Sequence, residues 1–122
     1  MKAVLLVGLG GFVGSVGRYL VGVLVSPTAA GIPAPTLLVN VVGSLLIGLL
    51  AGIGQARVGR DVWHLAVIGG LGGFTTFSAF SGETTALLQA GRGSAALLNV
   101  GAQVGLGLLA AWAGCVAGQK LF

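Results

Sequence analysis

Four apolar stretches, each near the roughly 20 residues a helix needs to cross hydrocarbon, take up most of this 122-residue chain. They run from Ala3 to about Val25, Thr36 to about Gly54, Trp63 to about Ala90 and Ser94 to about Gly118. Ser26, Pro27 and a turn-rich stretch through Pro35 close the first, and Gln55, Arg57, Arg60 and Asp61 end the second. Only 7% of the residues are charged and 56% are hydrophobic, against about 25% charged in soluble domains. The pattern predicts one all-α membrane domain over residues 1–122, with four transmembrane helices and short loops. The first apolar run continues past the length of a cleavable signal core.

The remaining counts exclude most soluble chemistry. The net charge of +4 comes from six scattered Lys and Arg residues, which form no phosphate-binding face, so nucleic acid is not an expected partner. Cys115 and His64 each stand alone, leaving no disulfide and no zinc site. Asp61 and Glu83 are too far apart in sequence to read as a paired-carboxylate hydrolase. The run Gly69-Gly70-Leu71-Gly72-Gly73 lacks the strand and the downstream acid of a dinucleotide site. An even number of spans sets Lys2, Arg57, Arg60 and Lys120 on one side, and Arg18 and Arg92 on the other. That weak bias favours cytoplasmic termini only slightly and permits insertion in both orientations.

Polar residues inside spans carry the information, because an unpaired polar group in hydrocarbon is expensive. Thr36, Asn40, Ser44 and Gly48 recur every four residues on the second span, which serves either as interhelical glue or as a polar pathway. Asn99, Gln103 and Gly107 form a similar stripe on the fourth, as a hydrogen-bonding wall or a dimer contact. In the third, four glycines in five positions precede Thr75 and Thr76, a poor helix by propensity. The reading is a helix broken in mid-membrane, whose freed carbonyls need burial or an ion; the alternative is an unbroken glycine face for close packing. Phe77 and Phe80 follow at helical spacing, with Ser81 and Thr84 on the same side; aromatic ring edges are positive and can face an anion. Glu83 and Arg18 are vestibule candidates, although both can also reach headgroup water.

Three motifs in order carry a resemblance. Gly10-Gly11-Phe12-Val13-Gly14-Ser15-Val16-Gly17-Arg18-Tyr19, Thr36-Leu37-Leu38-Val39-Asn40-Val41-Val42-Gly43-Ser44 and Gly72-Gly73-Phe74-Thr75-Thr76-Phe77-Ser78-Ala79-Phe80-Ser81 together resemble the Fluc (CrcB) fluoride channel family. The resemblance implies a fluoride-selective channel that exports the ion passively through the cell's inner (plasma) membrane and relieves fluoride toxicity. It implies an antiparallel dimer with two pores, formed by two copies of this chain or with an inverted paralogue, and a structural Na+ at the dimer interface. Carried over by motif, Asn40 donates to fluoride and Phe77 and Phe80 supply ring edges. The backbone carbonyls of Gly72 and Thr75 bind the sodium, and Ser78, Ser81 and Thr84 are further pathway candidates. Glu83 matches an acidic position after the motif. Ala79 stands where many relatives have Thr, and the fourth span lacks the expected hydroxyl track, so no pore residue is carried over there.

Fluoride is small and strongly hydrated, so a pore must replace its water with donors of moderate strength. Amides, hydroxyls and ring edges meet that need. A four-span drug-proton antiporter is the main rival, and the first span lacks the embedded carboxylate it requires. An assembly factor with purely packing glycines leaves Asn40 and the two phenylalanines without a purpose.

Overall fold

The computed structural model describes residues 1–28 and 31–121 and, among them, is all-helical. Among the described residues, four helical spans are long and apolar enough to cross a membrane: Lys2–Leu24, Ala34–Ile53, Arg60–Gln89 and Gly93–Lys120. Their limits fall within a few residues of those read from the polar punctuation. The chain is thus a multi-pass membrane protein. The first two spans are the single helices α1 (Lys2–Leu24) and α2 (Ala34–Ile53). Gly54 (φ 90°) and Gly59 (φ 88°) bracket the one-turn α3 (Gln55–Val58) and let the chain reverse.

The third span is composite. α4 (Arg60–Val62) runs into a nine-residue π-helix (Trp63–Leu71), and then into α5 (Gly72–Phe74). Thr75 (φ −85°, ψ 158°) and Thr76 (φ −153°, ψ 115°) are extended, and α6 (Phe77–Gln89) follows. Thr75 closes the first half by donating its N–H (3.0 Å) and its hydroxyl (2.9 Å) to the Leu71 carbonyl. Thr76 opens the second as an N-cap, its Oγ1 accepting from the Ala79 N–H at 3.2 Å, a bond that occupies one of the four orphan amides of a helix start. The π-helix had no signal in the sequence, since a stretch that is apolar except for His64 shows no period to distinguish i+4 from i+5 bonding. α6 ends in a Schellman arrangement with Gly91 at φ 71°, where Gly91 N–H bonds Leu88 O and Arg92 N–H bonds Leu87 O. α7 (Gly93–Lys120) completes the fold.

Helices associate as two parallel pairs. α1 lies on the π-helix and α5, and α2 lies along α7. Small residues decide both contacts, because backbones can touch only where no Cβ intervenes. A Cβ on Gly10 or Gly14 would strike the carbonyls of Leu65 or Gly70. Across the other pair, Gly48 and Gly52 meet the carbonyls of Ala111 and Cys115, while Gly114 and Gly118 meet those of Leu45 and Leu49. At one end Lys2 forms an ion pair with Asp61, as expected for groups on the same side. At the other, the Arg92 guanidinium lies against Gly31.

Burial is inverted relative to a soluble protein. Asn99 (0% exposed), Gln103 (7%), Thr36 (7%) and Thr76 (8%) are inside, while Phe12, Leu108 and Trp112 are more than 60% exposed. Lipid can cover the apolar surface, but the polar groups must find partners within protein.

Candidate functional site

The two halves of the third span meet α2 and α7 at a groove of 580 Å³, lined by Asn40, Thr75, Thr76, Phe77, Phe80 and Gln103 among others. The sequence stripe on α2 therefore faces the phenylalanine stripe on α6. Asn40 grips the extended segment at two points: its Oδ1 accepts from the Thr76 N–H at 2.8 Å and its Nδ2 donates to the Thr76 carbonyl at 3.0 Å. The same Nδ2 donates to Gln103 Oε1 at 3.0 Å. Both amide hydrogens of Asn40 are thus committed within the protein, which differs from the donor role the resemblance implies for it.

Phe77 and Phe80 meet edge to face, with ring centroids 5.4 Å apart and planes at 65°. That is the geometry their quadrupoles favour. Phe80 is buried at 9% exposure, whereas Phe77 stands 77% exposed at the groove. Ser81 and Thr84 turn their hydroxyls onto the carbonyls one turn back, at Phe77 (3.0 Å) and Phe80 (2.7 Å). Thr84 also accepts from Asn99 Nδ2 at 3.0 Å, tying α6 to α7. Ser78 shares a hydrogen bond with the Thr76 hydroxyl at 3.2 Å.

Gly72 and Thr75 both line the groove, and their carbonyls are left over by the local bonding. The Thr76 amide that would close a turn onto Gly72 goes to Asn40, and the Ala79 amide that would close onto Thr75 goes to the Thr76 hydroxyl. Two backbone oxygens deprived of helical donors are suitable ligands for a hard monovalent cation.

A second cavity, of 320 Å³, contains Arg18, Thr36, Thr76 and Glu83. Arg18 turns inward, donating from Nε to the Gly73 carbonyl at 3.1 Å. Glu83 Oε1 accepts from the Thr36 hydroxyl at 2.6 Å, while its Oε2 is buried with no partner among the described residues. The cavity brings together the two vestibule candidates and shares Thr76 with the groove. The fourth-span residues Asn99 and Gln103, for which the sequence offered only a wall or a dimer contact, are among the most buried polar groups of the molecule.

With the geometry in hand, comparison with known proteins decides the family. Residues 5–115 match the family model described as CrcB-like protein, Camphor Resistance (CrcB). This chain belongs to the CrcB-like family. A relative from Deinococcus radiodurans, named fluoride-specific ion channel FluC, is 48% identical over 120 residues, covering 93% of this chain and 92% of its own. A protein of the same name from Rhizobium meliloti is 45% identical over 117 residues, covering 93% and 94%. The Geobacter sulfurreducens protein of that name is 42% identical over 124 residues, covering 99% and 100%. These relatives bear the name of an ion channel, not of an enzyme.

Proposed function

We propose that this protein is a fluoride-selective channel that exports the ion passively across the cell's inner (plasma) membrane and so relieves fluoride toxicity. Near-full-length similarity to proteins named fluoride-specific ion channels carries the reading. The groove supports it chemically: neutral amide, hydroxyl and ring-edge groups surround a space with no lysine or arginine in its lining. Such donors can replace water around a small anion without holding it too tightly to release. The pathway runs past Asn40, Phe77 and Phe80, with Ser81 and Thr84 beyond, and Arg18 and Glu83 at its vestibule.

The working assembly is an antiparallel dimer with two pores. Phe77 is 77% exposed in the single subunit, which leaves its ring open to a second subunit. The extended residues Thr75 and Thr76 form a mid-membrane break in the third helix. There the carbonyls of Gly72 and Thr75 hold a structural Na+ at the dimer interface, and the bound ion supplies the positive charge that balances those oxygens. The weak charge bias of the termini and loops suits a homodimer of oppositely inserted copies, with an inverted paralogue as the other arrangement.

Ion efflux from liposomes containing the purified protein tests the function. Fluoride and chloride are compared under identical gradients. Rapid fluoride loss without chloride loss is expected; absence of fluoride flux from folded protein overturns the reading.

A further inference from the structure

We propose that Gln103 supplies the amide donor that meets the anion in the groove, and that Asn40 is the positioning residue that points it there. This rests on the fluoride-channel reading and names the atom through which the groove recognises its ion.

A single backbone group fixes the orientation of both amides. The Thr76 N–H can only donate, so the Asn40 atom 2.8 Å from it is the oxygen. Nδ2 must then occupy the other position, where it reaches the Thr76 carbonyl and Gln103, each at 3.0 Å. Nδ2 carries only hydrogens to give, so Gln103 must present its oxygen. The Gln103 nitrogen is therefore turned away from Asn40.

That nitrogen is buried and has no hydrogen-bond partner among the described residues. Gln103 is 7% exposed and lines the groove together with Phe77 and Phe80. Polar groups this deep in a membrane protein are rarely left unmatched, since an unmade hydrogen bond in low dielectric is costly. Several other donors nearby are engaged within the protein, while the Ser44 hydroxyl lines the same groove. The Asn40 amide is shared between Thr76 and Gln103, the Thr75 hydroxyl goes to Leu71 O, and the Asn99 amide goes to Thr84. A neutral carboxamide with a free N–H, in a groove that it shares with two aromatic rings, suits a compact acceptor of high charge density. Fluoride accepts hydrogen bonds more strongly than chloride, so this contact also favours the smaller ion.

Two variants separate the donor from its scaffold. Gln103→Met keeps the volume but removes donor and acceptor; Gln103→Glu keeps an acceptor for Asn40 and removes the donor. Both should lower fluoride efflux from liposomes at least tenfold relative to wild type assayed alongside. Wild-type flux in Gln103→Met, or in Gln103→Glu, overturns the proposal, because the side chain then serves only as packing or as a partner for Asn40. A silent wild type instead removes the channel reading itself.

The unmutated protein gives a second measurement that does not depend on variants folding. With glutamine side chains labelled with nitrogen-15, the buried Gln103 amide resonances should shift on titration with sodium fluoride and not with sodium gluconate. No fluoride-dependent shift overturns the donor role. In Asn40→Asp the new carboxylate attracts the Gln103 nitrogen, so the fluoride response should vanish in protein that still unfolds cooperatively on heating. A retained response overturns the positioning role of Asn40.

Discussion

Thr76 gives both of its backbone groups to Asn40, its N–H to Oδ1 at 2.8 Å and its carbonyl to Nδ2 at 3.0 Å. One side chain on α2 thereby replaces the two helical bonds that Thr76 forgoes by being extended. The clamp holds the junction between α5 and α6 open and sets the direction of everything hydrogen-bonded behind it.

Asn40→Asp tests that clamp. One carboxylate oxygen can still accept from Thr76 N–H, but the other faces the Thr76 carbonyl and attracts the Gln103 nitrogen in place of its oxygen. The two oxygens at hydrogen-bond distance repel and the Gln103 donor turns away from the groove, so fluoride flux should fall by roughly two orders of magnitude, equivalent to about 2.7 kcal/mol. Asn40→Ala leaves both Thr76 groups unpaired and should destabilise the subunit by about 2–4 kcal/mol in chemical unfolding in mixed micelles. Stability equal to wild type would mean that the extended segment needs no clamp.

The glycines divide by what faces them. Gly48→Ala and Gly114→Ala drive a methyl into the carbonyls of Ala111 and Leu45, and each should destabilise by about 1–3 kcal/mol through separation of α2 from α7. Gly8→Ala meets open space and should be neutral or stabilising by up to about 1 kcal/mol. Equal effects at all three positions would argue against close backbone contact.

Phe77 and Phe80 should behave differently despite their ring contact. Phe80 is 9% exposed, so Phe80→Ile should reduce both flux and stability, the latter by about 1–3 kcal/mol. Phe77 is 77% exposed, and Phe77→Ile should change subunit stability by less than about 0.5 kcal/mol while reducing flux tenfold or more. Efflux and unfolding curves on the same preparations measure both, and intact flux in either variant removes that ring from the pathway.

Replacing sodium by a bulky organic cation throughout purification and assay tests the carbonyls of Gly72 and Thr75. Dimer dissociation on size exclusion or a fall in fluoride efflux is expected. Indifference of both would leave these oxygens without a cation.

Much of the architecture was legible because lipid imposes a simple rule. Each span had to be apolar for about 20 residues, so the polar punctuation around Ser26, Gln55 and Arg92 marked the helix ends within a few residues. The stripes on α2 and α6 were legible for the same reason: Asn40, Phe77 and Phe80 repeat at helical spacing. The π-helix at Trp63–Leu71 was not, because a stretch that is apolar except for His64 carries no period to tell the two registers apart. Nor was the inward turn of Arg18, whose partner Gly73 lies 55 residues away.

The sequence alone determined that this chain spans a membrane with four helices and that its few polar residues must be matched inside protein. Tertiary structure decided which atoms are matched and which are left over. Asn40 and Gln103 have the same functional group, yet one is fully bonded and the other keeps a free nitrogen. That difference arises 63 residues apart in the chain, from a Thr76 backbone that can donate in one direction only, and no local pattern encodes it.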